Sequence, residues 1–331
     1  MDHVMYEAQR QGRFSFYMTT FGEEALIGVP AALDFKDMIH GQYREAYALL
    51  YRGFSLSDCM NQCFSNADDK GKGKQMMVHY ASEECNFQAI SSPLGTQIPQ
   101  AAGVGYAFKL NPNNDRCSVC FFGEGAASEG DFHAGMNMAA TLKAPVIFIC
   151  RNNGYAISTP TSEQYKGDGI ASRGVGYGMD TIRVDGNDFL AVYNATKAAR
   201  QIALTENKPV LIEAMTYRVG HHSTSDDSTK YRDRKEVEHY KVSDNPIHRF
   251  RRYLEKKNYW SQQQEDDLQA KVKQQVMDAF KKAEFRKKPK VDELFNDVYD
   301  ELPPHLIQQK NELFQLMKKY PEYYNTDDYE K

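Results

Sequence analysis

The sequence predicts an α/β protein: a doubly wound, mostly parallel sheet flanked by helices, with a helical N-terminal segment and a helical C-terminal extension. Three observations predict it. Cys117 to Arg151 reads as strand, tight turn, helix and strand. Its outer parts, CSVCFF and PVIFIC, are short apolar runs, and Phe132, Gly135, Met136, Ala139, Ala140 and Leu142 recur between them at helical spacing. The alternation then repeats, with TIRVDG as a strand, NDFLAVYNATKAARQIALTENK as a helix and PVLIEAMTYR as the next strand. After Tyr240 the composition shifts to dense, balanced charge on amphipathic stretches, which divides the chain into an α/β domain over 1–240 and a helical extension over 241–331.

Taken in order, residues 1 to 52 read as helical with polar interruptions. The break at Tyr17 to Gly22 precedes a helix through Pro30 to Leu33, with the acids of EEALIG near its amino end. Gln42, Tyr43 and Arg44 open a further helix whose apolar face is Ala48, Leu49 and Tyr51. NADDKGKGKQMMVHY, rich in glycine and lysine, reads as an exposed loop in which Asp68 and Asp69 offset Lys70, Lys72 and Lys74. ISSPLGTQ is a turn feeding a helix of small residues from Gln100 to Ala107, suited to close packing. Beyond Asn153, the glycine-rich STPTSEQYKGDGIASRGVGYG reads as a long irregular active-site loop, with Ala171 to Gly178 turning back into the sheet. The C-terminal segments DNPIHRFRRYLEKKNYW, SQQQEDDLQAKVKQQVMDAFKKAEFRKKP and VDELFNDVYDELPPHLIQQKNELFQLMKKY are successive amphipathic helices. The aromatic and acidic tail PEYYNTDDYEK suits docking on another chain.

Composition excludes several classes. A formal net charge of −4 provides no basic field for nucleic acid, and no apolar run reaches the length of a membrane span. The start, MDHVMYEAQRQGRFSF, has no secretory h-region and no arginine-rich, acid-free presequence. The six cysteines are too sparse for a disulfide framework. Cys117 and Cys120 match CxxC, but on a strand they face opposite ways and no second cysteine pair or histidine cluster completes a site, so core packing is expected.

Chemistry concentrates at strand ends. Gly123, Glu124 and Gly125 follow one strand of the first unit, and Asn152, Asn153 and Gly154 follow the next. A carboxylate and an amide oxygen meeting across a crevice suit Mg²⁺, whose octahedron phosphate oxygens, water or a main-chain carbonyl complete. Gly125 removes bulk beside a helix amino end that favours phosphate. Each motif alone also fits an ordinary turn, and Arg44 alone fits the surface. His221 and His222, at the loop end of the last strand, are candidates for acid, base or substrate-binding roles. No GxxxxGK[ST] or GxGxxG stretch points to direct nucleotide binding.

The run from Gly123 to Asn153 resembles the thiamine diphosphate signature: glycine, acid, glycine, a helix, then paired asparagines. FFGEGAASEGD and RNNGYAISTPTSEQY are closer still, and almost the whole chain is similar to the alpha subunits of branched-chain 2-oxo acid dehydrogenases, within the thiamine diphosphate-dependent 2-oxo acid dehydrogenase family. The resemblance implies the thiamine diphosphate-binding fold and decarboxylation of branched-chain 2-oxo acids with reductive acylation of a lipoyl group. Pyruvate or acetoin dehydrogenase alpha subunits, and a catalytically silent partner-binding domain, are the alternatives. It implies Mg²⁺ held by Glu124, Asn153 and the Tyr155 carbonyl, and cofactor contacts from Tyr43, Arg44, Ser92, Leu94, Gly125, Ala126, Arg151 and His222, the last beside the reacting ring as the catalytic residue. Ser91, Pro93, Thr96 and Gln97 match a potassium-binding loop, and their hydroxyl and carbonyl groups could equally be satisfied internally. Ser223 matches a regulatory phosphorylation site, and Asp233 stands where relatives carry a second phosphoserine.

The implied partners are a beta subunit in an α2β2 heterotetramer, a lipoyl-bearing acyltransferase component, and a regulatory kinase and phosphatase. The beta subunit is expected to supply the glutamate that activates the cofactor, and the extension is expected to pack on the same α/β domain and on partner subunits. The implied compartment is the mitochondrial matrix, with transit peptide and mature N-terminus absent from this chain.

Overall fold

A strand that is apolar on both faces must be covered on both, and Val146–Asn152 is buried at every position. In the computed structural model, which describes residues 1–331, this strand lies inside a six-stranded sheet. The strands are β1 (Met38–His40), β2 (Phe87–Gln88), β3 (Ser118–Gly123), β4 (Val146–Asn152), β5 (Tyr155–Ala156), β6 (Thr159–Pro160), β7 (Asp180–Asp185) and β8 (Val210–Met215). The sheet order is β2-β1-β3-β4-β8-β7, every pairing is parallel, and β5 and β6 form a separate antiparallel hairpin. Register is regular, with Gly123 opposite Arg151 and Asn152 opposite Met215, so the strand ends align along one edge.

Thirteen α-helices accompany the sheet. Before the GEG turn come α1 (Asp2–Arg10), α2 (Gly28–Ala32), α3 (Ala46–Tyr51), α4 (Leu56–Phe64) and α5 (Gln97–Lys109). Between that turn and β8 lie α6 (Gly130–Leu142), α7 (Thr161–Gln164), α8 (Ala171–Gly176) and α9 (Phe189–Glu206). The rest are α10 (Arg234–Val242), α11 (Pro246–Lys256), α12 (Gln262–Glu284) and α13 (Pro304–Lys319).

Period-two alternation sends strand side chains into two cores. Cys117, Val119, Phe121, Ile147 and Ile149 join residues of α1, α4, α9 and α12 on one face. Cys120, Phe122, Phe148 and Cys150 join α5 and α6 on the other. Cys117 and Cys120 therefore lie on opposite faces, and all six cysteines are free and buried. The α5–α6 crossing is close because Gly135 lacks a side chain: a Cβ there would meet Ile98 Cγ2 at 2.7 Å. No helix is long and apolar enough to cross a membrane.

Several elements differ from the sequence reading. Residues 1 to 52 are only partly helical and include β1, too short and too polar-flanked to show a strand pattern. Gln42, Tyr43 and Arg44 do not open a helix, because Glu45 Oε2 accepts from the Gln42 and Tyr43 amides at 2.8 and 2.9 Å and turns the chain; α3 starts at Ala46. The glycine-rich stretch after Asn153 is more regular than expected, holding β5, β6, α7 and α8. Glu213 organises its far end, accepting from the Ile170 and Ala171 amides at 2.8 and 2.9 Å. The lysine-rich loop is not wholly exposed either: Asn66, Asp69, Val78, His79 and Tyr80 are buried. The C-terminal extension packs on the α/β domain as expected, with Val276, Phe280 and Ala283 of α12 sharing the core with α4, while helix α10 runs across residue 240. The tail folds onto its own chain, where Lys288 N donates to Asp328 O and Arg286 pairs with Glu330, both at 2.8 Å.

His40 on β1 carries a stability cost that appears in acid. Its Nδ1 lies 3.3 Å from Ser118 Oγ, its Nε2 has no partner, and burial lowers its pKa from 6.5 to about 4. The unfolded chain binds the proton first, so stability is full above pH 6.5 and falls as pH drops towards 4. Chemical unfolding should show His40→Leu losing less stability across that window, by roughly 3 kcal/mol. An unchanged pH slope would contradict it.

Candidate active site

The chain runs from β1 outward to β2 and then returns to β3 on the other side of β1, so the loops after β1 and β3 part and open a crevice at the strand ends. Gln42 Oε1 spans the gap by accepting from Gly123 N at 2.8 Å. The resulting cleft, roughly 400 Å³, takes Tyr43 and Arg44 from after β1, Glu124 from after β3, Arg151 and Asn153 from β4 and its end, and His222 from after β8. A 470 Å³ groove near the tail lacks such convergence, since its Lys72 is already paired with Glu293 and Asp297.

Glu124 is 1% exposed. Its Oε2 accepts from Asn153 N at 3.2 Å, and its Oε1 has no partner. Burial raises its pKa from 4.5 to about 7. A buried, unpartnered carboxylate oxygen is costly unless something cationic meets it, and a hard divalent ion is the fitting partner. Asn153 is held in place, its Nδ2 donating to Glu23 Oε1 at 2.7 Å while its Oδ1 accepts from Tyr155 N at 3.2 Å. Gly125 is required because a Cβ there would meet Ala156 Cβ at 2.6 Å, and the β5–β6 hairpin presses against the turn.

The two arginines differ. Arg151 is buried between Glu23 Oε2 at 2.9 Å and Glu45 Oε1 at 2.6 Å, and its Nη2 has no partner within the chain. Burial would raise the Glu23 carboxyl, but Arg151 and Arg44 together hold it below its usual range. Arg44 carries no carboxylate: Nη1 donates to Thr19 O at 2.6 Å and Nη2 to His222 O at 2.7 Å. Its charge is therefore the less neutralised of the two, and Tyr43 packs against both guanidinium groups.

Arg44 Nη2 also lies 3.2 Å from His222 Nδ1. A guanidinium only donates, so Nδ1 is the acceptor and the ring proton sits on Nε2. Burial, then Arg44 and Arg218, lower the His222 pKa to about 3. His222 is a neutral donor at physiological pH. Its loop is firmly held: Asp226 Oδ2 accepts from His222 N at 2.8 Å, and Arg232 Nη2 donates to Gly220 O and Ser228 Oγ at 2.8 and 2.9 Å. Ser223 is only 8% exposed within it, and its neighbour Thr224 bonds Tyr17 O through its amide at 3.0 Å.

The profile of the "Dehydrogenase E1 component" family matches residues 1–292. The chain belongs to that family. It is 59% identical over 325 residues to "2-oxoisovalerate dehydrogenase subunit alpha, mitochondrial" of Caenorhabditis elegans, covering 98% of this chain and 75% of that protein. The Homo sapiens protein of the same name is 56% identical over 332 aligned positions, covering 100% and 74%. "2-oxoisovalerate dehydrogenase subunit alpha 1, mitochondrial" of Arabidopsis thaliana is 55% identical over 325, covering 98% and 69%. E1 components of this kind use thiamine diphosphate and Mg²⁺.

Against that family background, the cleft gathers Tyr43, Arg44, Ser92, Leu94, Glu124, Gly125, Ala126, Arg151, Asn153, Tyr155 and His222. Ser91, Pro93, Thr96 and Gln97 lie outside its lining. Two of their donors are used internally, Thr96 Oγ1 to Pro93 O and Gln97 Nε2 to Phe121 O, both at 3.1 Å. Asp233 caps α10, accepting from Lys235 N at 2.8 Å. Glu23, Glu45, His79, Ile157 and Arg218 were missed. Glu23 stands in EEALIG, where acids at a helix start read as solvent-facing, and only the fold reveals it as fully buried against Arg151.

Proposed function

We infer that this chain is the alpha subunit of the decarboxylating component of a mitochondrial branched-chain 2-oxo acid dehydrogenase complex. With a beta subunit it carries out oxidative decarboxylation of branched-chain 2-oxo acids and reductive acylation of a lipoyl group on the acyltransferase component. The observation that carries the site reading is the buried, partnerless Oε1 of Glu124 in a cleft that Asn153 and Arg44 also line.

In this reading Glu124, Asn153 and the Tyr155 carbonyl hold Mg²⁺. Tyr43, Arg44, Gly125, Ala126 and the free Nη2 of Arg151 hold the diphosphate, and Ser92 and Leu94 line the opposite end. Thiamine diphosphate supplies a nucleophilic carbon and an electron sink for the departing carbon dioxide. His222 offers its Nε2 proton to a substrate oxygen as a neutral donor, with Arg44 fixing the tautomer. Met76, Leu94 and Ile157, exposed at 44, 40 and 51%, give the mouth an apolar rim suited to a branched side chain and to a partner surface.

The loop of Ser91, Pro93, Thr96 and Gln97 takes a potassium ion, using oxygens that its internal bonds leave free. Ser223 is the target of a regulatory kinase and phosphatase once its loop opens, and Asp233 replaces a second modifiable serine with a fixed helix cap. The α2β2 heterotetramer, with residues 241–331 contributing to its packing, is the working assembly. The test is kcat/KM of the assembled enzyme for 3-methyl-2-oxobutanoate against pyruvate, with a preference for the branched acid of about tenfold or more expected from an apolar pocket. Preference for pyruvate would assign the chain to the other substrate class.

A further inference from the structure

His79 is assigned no role by any reading so far, yet the fold holds it at the cleft with unusual care. The turn carrying it contains Val78 at φ +63°, a conformation that a β-branched residue adopts only when its surroundings force it. Gln62, buried on α4, does the forcing. Its Nε2 donates to Met76 O at 2.7 Å and its Oε1 accepts from Val78 N at 2.9 Å, fixing both sides of the turn. His79 N also donates to Met76 O, at 3.1 Å. The imidazole is 6% exposed and lines the cleft beside Ser92 and Leu94.

The two ring nitrogens have different partners. Nδ1 lies 3.0 Å from Met77 O, which can only accept, so Nδ1 carries the proton. In the neutral ring Nε2 is then bare, and it lies 2.9 Å from Ser92 Oγ. The Ser92 hydroxyl must donate to it, which uses the only proton that hydroxyl has. What remains on Oγ is lone pairs. A serine free to rotate would meet a donor or an acceptor equally well; this one can only accept.

We propose that His79 is a positioning residue that locks Ser92 as a hydrogen-bond acceptor, so that this wall of the cleft selects a ligand presenting an amine donor. Resting on the thiamine diphosphate reading of the cleft, the donor is the exocyclic amine of the aminopyrimidine, at the end of the cofactor away from Glu124. The wall would discriminate against the same molecule with that amine replaced by oxygen, because two acceptors would then face each other.

The test is calorimetric titration of the assembled alpha–beta enzyme, in Mg²⁺, with thiamine diphosphate and with oxythiamine diphosphate, in which oxygen replaces the amine. The readout is the ratio of the two dissociation constants, independent of turnover. His79→Asn keeps a donor for Met77 O but is too short to reach Ser92, and Ser92→Ala removes the acceptor from an exposed loop position. Each change should lower the wild-type preference for the amine form by about tenfold, and the double variant should lower it no further, as coupled groups do. Equal weakening of both ligands, an unchanged ratio, or additive losses would overturn the proposal. Wild-type enzyme that binds both ligands alike overturns it alone. Wild-type enzyme that binds neither overturns the cofactor reading of the cleft along with it. Should His79→Asn fail to assemble, Ser92→Ala still decides whether the hydroxyl discriminates, and an unchanged ratio there sinks the proposal.

Discussion

Replacing Glu124 by alanine should abolish Mg²⁺-dependent retention of thiamine diphosphate while leaving the fold intact. The side chain sits at the end of β3 with one oxygen engaged by the Asn153 amide and the other facing no partner. On the proposed assignment its removal deletes a metal ligand. Metal affinity commonly falls 10- to 100-fold when an outer partner is lost, so loss of a direct ligand should cost about 100-fold or more. Glu124→Gln separates charge from shape, since it keeps the volume and one oxygen but cannot ionise. The carboxyl titrates near 7 in the fold against 4.5 ordinarily. The folded chain therefore keeps its proton while the unfolded chain releases it, so stability without metal is greatest below pH 4.5 and declines as pH rises to 7. Below pH 7 a metal must also displace that proton, and its apparent affinity should fall as the solution is acidified. Glu124→Gln should remove this pH dependence and raise the unfolding midpoint at pH 8. Equilibrium dialysis with radiolabelled cofactor measures retention, and thermal unfolding measures the fold. Retention that survives in the alanine variant would show that the metal has other ligands.

The parts of this site legible in the sequence were those written in local pattern. Glu124 and Asn153 could be read because each follows a strand of strong apolar character in one βαβ unit, and the topology of such units brings strand ends to one edge. The reading of this strand as ending at Arg151 stops one residue short of β4, because Asn152 is polar and buried, which no hydropathy pattern signals. Glu23 and Glu45 were illegible for the same reason: a carboxylate becomes internal only when a distant arginine is folded against it. Strand β1 escaped because its residues are too few to show alternation. His79 lay in a lysine- and glycine-rich segment whose composition indicates a surface loop, and its burial follows from Gln62, a contact between residues of separate elements.

The consequence of that buried charge bears on what the chain can do alone. Arg151 with Glu23 and Glu45 forms a group of net negative charge behind the cleft, so these acids are committed to holding an arginine and are not free for proton chemistry. Taking away Arg151 would leave Glu23 and Glu45 buried without their shared counter-ion, at a cost of about 3–5 kcal/mol when an ion pair is broken. That fixes the internal wall as scaffold. The chemistry has to come from groups lining the open side.

The isolated chain, supplied with thiamine diphosphate and Mg²⁺, should therefore show no substantial decarboxylation, and turnover should appear when the beta subunit is added. The cleft lining contains two carboxylates, Glu124 and Glu129. Glu124 is the proposed metal ligand. Glu129 precedes α6 and is exposed to solvent, not held against the buried wall of the cleft. Of the two histidines in the lining, His79 is engaged by Met77 O and Ser92 Oγ, while His222 has its Nδ1 directed at Arg44 and donates from Nε2, which suits it to a substrate oxygen and not to removing a proton. On the proposed function the acid that activates the cofactor comes from the beta subunit, and the apolar rim of Met76, Leu94 and Ile157 leaves the mouth open for the surface that brings it. A steady-state assay of carbon dioxide release compares the chain alone, the assembled enzyme, and assembled Glu129→Gln. Activity in the second and third but not the first is expected. Substantial turnover by the chain alone would place the activating acid here, and loss of activity in Glu129→Gln would identify it.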